Sequence, residues 1–132
     1  MYVRRLTTLF GENAGKIWSV LNQEGCSKKE KILEITKLEE DDFYAGVGWL
    51  ARENKITKED QNSFRLGTTN LESEIGSHAG LIWKILDIWG DADLNTIKRL
   101  SNLDDGELQS ALGWLAREDK IIINANQKFV LK

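Results

Sequence analysis

At 132 residues, with 41% hydrophobic and 30% charged side chains, the chain has room for one ordinary domain or two small ones and is too apolar to remain disordered. Its net charge of −3 lacks the positive excess that supplies most of the affinity of a dedicated nucleic-acid binder. One cysteine, Cys26, excludes an internal disulfide, no Cys/His cluster offers a metal site, and no apolar run approaches the roughly 20 residues of a membrane span.

The opening MYVRRLTTLF has two arginines but no apolar core of the length a secretion signal needs, so a cytoplasmic protein is expected. Ala14, Ile17, Trp18 and Leu21 recur at i, i+3, i+4 and i+7, which predicts one buried face of a first helix. Gly25 ends it, because glycine tolerates the left-handed conformation common there. Ser27-Lys-Lys-Glu30 reads as a capping box and opens a second helix carrying Lys28, Lys29 and Lys31. The polar step Thr36-Lys-Leu-Glu39 leads into a third helix that buries Phe43, Val47 and Leu50. Two short β-rich runs follow around a polar turn, Lys55 to Lys58 and Ser63 to Leu66.

The same order then repeats. GWLARENKI at 48–56 returns as GWLAREDKI at 113–121, and a shift of 65 places residues 11–67 on 76–132 without a gap, with 19 of 57 pairs identical. Most matches are apolar or glycine, so packing and turns are what has been copied. Ala79, Ile82, Trp83 and Leu86 repeat the first face, Gly90 the stop and Asp93 the helix start. Ser101 to Asp104 repeats the step, Leu108, Leu112 and Leu115 the third helix, and Lys120 to Asn124 with Lys128 to Leu131 the hairpin. Outside the shifted window, Leu6 falls on Leu71 and Phe10 on Ile75. Two copies are expected, residues 1–67 and 68–132, each condensing into its own thin core, with the copies leaning on one another.

Three helices and a β-hairpin, the second and third helices joined by a tight turn, is the winged helix-turn-helix arrangement. The paired motifs G-x-x-A-G-x-I-W and G-W-L-A-R-E-x-K-I resemble a small winged helix-turn-helix family of bacteria and archaea that stands beside transcriptional regulators. The resemblance covers most of the chain. It implies a mainly α fold with small β-hairpins, present as tandem winged helix-turn-helix units, and by association a DNA-linked role.

In a DNA-reading member the third helix enters the major groove. Steps of about 100° per residue put Asp41, Ala45, Gly48, Trp49 and Arg52 outward, with Gly106, Ser110, Gly113, Trp114 and Arg117 in the second copy. Glu39-Glu-Asp-Asp42, and Asp104 with Asp105, make the approach to that helix acidic. Such carboxylates complement a helix N-terminus and repel phosphate. The phosphate-contact candidates are therefore Lys28, Lys29, Lys31, Arg52, Lys55, Lys58 and Arg65 in the first copy, and Arg117, Lys120 and Lys128 in the second. Arg–Glu pairing at a helix end accounts for Arg52 and Arg117 equally well. Gly48-Trp49 and Gly113-Trp114 are the candidate interface, since a helical glycine paired with an indole invites close packing. Completion of each core beneath the hairpin is the competing account of both tryptophans.

Nothing points to catalysis. His78 is the lone histidine and answers to Asn13, Cys26 answers to Asp91, and no nucleophile elbow, phosphate loop or dinucleotide fingerprint occurs. No cofactor, metal, membrane or small-molecule substrate is implied. Two partners stay open: double-stranded DNA touched by wings and helix ends, and a protein, another chain or a second copy, held by the Gly-Trp face.

Overall fold

The computed structural model describes residues 2–132, with side chains from Thr8 onward. Among the described residues six helices and six short strands follow in an order that repeats once. The first half holds α1 (Tyr2–Glu24), β1 (Ser27–Lys28), α2 (Lys29–Thr36), α3 (Glu40–Arg52), β2 (Ile56–Lys58) and β3 (Ser63–Leu66). The second holds α4 (Glu72–Trp89), β4 (Asp91–Ala92), α5 (Leu94–Ser101), α6 (Asp105–Arg117), β5 (Ile121–Ile123) and β6 (Phe129–Leu131).

Each half carries a three-stranded antiparallel sheet, ordered β1-β3-β2 and β4-β6-β5. The third strand corrects the expected capping box. Ser27 and Lys28 pair with Phe64 and Ser63, so Lys28 lies on β1 and not on α2. The Ser27 hydroxyl donates to the Gly25 carbonyl and caps no helix. Asp93 behaves as expected, its side chain accepting from the Thr96 amide. The tight step rests on Lys37 and Asn102, both left-handed at φ 63° and 59°.

The predicted helix faces are buried at Ala14, Ile17 and Leu21 and at Ala79, Ile82 and Leu86. Trp18 and Trp83 depart from the expectation, at 39% and 38% exposed. Each falls at the edge of its stripe, while Val20 and Ile85 fill the core beside it.

The two cores are not separate, against expectation. Phe10 of α1 and Ala45 of α3 belong to the cluster built on Ile82, Leu112 and Phe129. Leu71 and Ile75, at the start of α4, belong to the cluster built on Ile17, Phe43 and Phe64. Phe10 and Ile75 are repeat equivalents, so the halves exchange the N-terminal segments of their first helices. The side chain of Leu6, paired with Leu71 in the repeat, lies outside the described residues. A unit of about 60 residues buries too little surface to be robust alone, and mutual insertion enlarges both cores.

Candidate functional site between the third helices

α3 and α6 lie against each other through the positions expected to face outward. Ala45, Gly48, Ser110 and Gly113 are all buried there. A methyl group on Gly48 would overlap the carbonyl oxygen of Ser110, and one on Gly113 that of Ala45. Because Ser110 is the repeat equivalent of Ala45, the two contacts are one contact made twice about a pseudo-twofold axis. The helices run parallel. Tyr44 packs by Gly106 near their starts, and Arg52 reaches Glu118 at their ends. Small residues at the crossing are what allow the backbones to touch.

The remaining residues of the nonapeptide form a clasp across this junction. The Trp49 indole lies on Gly11, and that of Trp114 on Gly76, so each ring covers the first helix of its own half. The Arg117 guanidinium stands 5.7 Å from the Trp49 ring, and Arg52 stands 5.7 Å from that of Trp114. Arg52 Nε donates to Glu118 at 3.0 Å and Arg117 Nε to Glu53 at 3.0 Å. Arg–Glu pairing therefore runs between the halves and not along one helix end. The single difference between the nonapeptides, Asn54 against Asp119, falls on a left-handed residue in both copies, where Asn and Asp are among the few tolerated. Both tryptophans touch both cores.

Most of the candidate phosphate contacts are paired with carboxylates. Lys29 pairs with Glu40, Lys31 with Glu24, and Arg65 with Glu59. Glu53 takes Lys55 and Arg117, while Glu118 takes Arg52 and Lys120. Lys58 lies 5.9 Å from the Phe64 ring, Lys28 is exposed on β1, and Lys128 flanks β6. The starts of α3 and α6 bring Glu39 to Asp42 beside Asp105. Partial burial, then the charges of Asp105, Asp42, Glu40 and Glu39, push the Asp41 carboxyl above its ordinary range. Lys29 stays above the usual lysine range: burial alone would lower it, but its hydrogen bond to Tyr44 and the Glu40 charge outweigh that.

An apolar stripe on α4 was not anticipated. Leu81, Ile88 and Trp89 fall at i, i+7 and i+8 beside the buried Ile85, and Ile88 and Trp89 are 79% and 56% exposed. Their equivalents in the first copy are Lys16, Gln23 and Glu24, beside Val20. The signal lay in the differences between the repeats, while attention to shared residues selects packing. Among the described residues no group of His, Cys, Asp and Glu is placed to hold a metal ion, and no helix is long and apolar enough to cross a membrane.

A family model described as a winged helix-turn-helix domain (DUF2582) matches residues 6–66 and again residues 70–131. No curated protein and no solved structure matches the chain.

Proposed function

The chain belongs to this winged helix-turn-helix domain family, twice over, and from that premise we propose that it is a non-catalytic, cytoplasmic protein-binding module and not a reader of DNA sequence. The observation that carries the reading is the α4 stripe. Large exposed apolar side chains in a row mark interaction surfaces, and Leu81, Ile88 and Trp89, exposed at i, i+7 and i+8, suit an amphipathic partner helix. The first copy carries Lys16, Gln23 and Glu24 where the second has Leu81, Ile88 and Trp89, so the shared fold does not require the apolar residues. Sequence reading of DNA would need a third helix free to enter the major groove. Here those helices cover each other through backbone contact at Gly48 and Gly113.

The family fold favours a second reading, a DNA-associated, regulator-like protein. Lys28, Lys58 and Lys128 have no carboxylate within 4.0 Å among the described residues and remain available to phosphates. Such contacts are largely independent of sequence. One pair of measurements separates the readings. Ile88→Gln with Trp89→Glu installs the first copy's residues, leaves the fold intact, and abolishes recovery of a partner that the parent chain retains. Neither protein binds mixed-sequence duplex DNA in an anisotropy titration at about 50 mM salt. Duplex binding that collapses by about 200 mM salt would transfer the case to the DNA reading. Partner recovery indifferent to the two substitutions would remove α4 as the docking face.

A further inference from the structure

The exchange of α1 and α4 segments leaves a seam on each side of the α3–α6 junction. One seam opens as a cavity of about 220 Å³. Val47, Phe64 and Ile75 form an apolar floor, all three buried, with Tyr44 beside them. The rim carries Lys58 from the first half and Glu74, His78 and Glu107 from the second. Among the described residues Lys58 has no carboxylate within 4.0 Å and Glu74 no cation. Glu107 is partly engaged. One oxygen accepts from the Asp104 amide in the capping box, and the other lies 3.9 Å from His78 Nε2.

The repeat supplies an internal control. In the opposite seam the floor stays apolar, with Leu112, Phe129 and Phe10 at the equivalent positions. The acids at Asp104 and Glu107 keep acidic equivalents in Glu39 and Asp42, but Lys58, Glu74 and His78 are replaced by Ile123, Leu9 and Asn13. Core packing cannot account for Lys58 and Glu74, because the floor is retained without them. A cation and an anion bordering an apolar hollow present complementary groups to a ligand that carries both charges on an apolar body.

We propose that this seam binds a small apolar zwitterion of the free α-amino acid class. Lys58 takes the carboxylate, Glu74 and Glu107 Oε2 take the ammonium, and the side chain lies on Phe64 and Ile75. Pockets for drug-sized ligands run from about 300 to 1,000 Å³, so this smaller volume suits a single amino acid. Lys58 and Glu74 belong to different halves, and the ligand ties them together. The proposal is independent of the protein-binding reading, since Ile88 and Trp89 take no part in the seam.

The test titrates the full chain with L-leucine and L-phenylalanine to about 10 mM, a range that reports millimolar affinity, by calorimetry and amide chemical shifts. Saturable binding is expected, with shifts centred on Lys58, Glu74 and His78. Lys58→Met, at a half-buried rim position, and Glu74→Gln, at an exposed one, both verified as folded, weaken it about tenfold or more, the usual worth of a charged hydrogen bond. 3-Methylbutylamine and 4-methylpentanoate, which each keep one of leucine's two charges, bind correspondingly worse. No saturable response to either amino acid, affinity unchanged in both variants, or equal binding of a single-charge analogue would overturn the assignment.

Discussion

Gly15 and Gly48 are both helical glycines copied in the repeat, yet they do opposite things. A methyl group at Gly15 or at its equivalent Gly80 would meet nothing within 4 Å. There alanine gains only its helical advantage of about 0.5–1 kcal/mol. At Gly48 and Gly113 the same methyl group meets a backbone carbonyl, which no rotamer change can relieve. Gly15→Ala and Gly80→Ala should therefore raise the urea midpoint, while Gly48→Ala and Gly113→Ala should each lower stability by about 3 kcal/mol or more, the upper range for overpacking. Equal effects at Gly15 and Gly48 would mean that α3 and α6 do not touch. Helical periodicity made the outward direction of Gly48 legible. It could not show what stood opposite, because the contact atom belongs to the backbone of Ser110, which side-chain patterns do not encode.

Among the elements, α3 and α6 share length and packing but begin differently. Asp104 accepts from the Glu107 amide while Glu107 reaches back to the Asp104 amide, a complete capping box. Glu39 occupies the same position before α3 and makes no side-chain cap, since its extra methylene carries the carboxylate past the amides it would need to meet. Asp104→Ala should cost about 1 kcal/mol and Glu39→Asp should return a similar amount, because an N-cap aspartate is worth that much. Thermal unfolding of the two variants checks both signs. The helices, the hairpins and the tight steps between the second and third helices were legible, since apolar spacing and turn chemistry are local. β1 was not. Two residues carry no periodicity, and Ser27 became a strand only because Phe64 lay in reach of its backbone. The candidate site was partly legible for the same reason: Gly-Trp and Arg-Glu were visible as repeats, but their partners lie 62 to 68 positions away across the junction.

For the whole molecule, duplication plus exchange has interleaved the cores of two small units. Phe10 is 6% exposed within a core otherwise built mainly from the second half, and Ile75 is 5% exposed within the core of the first. Neither core closes without a segment from the other half, and the third helices bind the two together at the centre. Loss of either core should therefore release the segment that completes its neighbour. Phe10→Ala deletes a buried ring and should cost about 3–5 kcal/mol. The substituted ring belongs to the first half by sequence, but its packing partners belong to the second. If the halves unfolded independently, the variant would split the thermal transition, with the second half melting early and the first unchanged. Reciprocal insertion predicts instead a single transition displaced as a unit, with calorimetric and van't Hoff enthalpies still equal. Two resolved transitions would show that the exchange of α1 and α4 segments does not couple the halves, and that the Arg–Glu clasp alone is too weak to do so, as expected of exposed ion pairs worth about 0–1 kcal/mol.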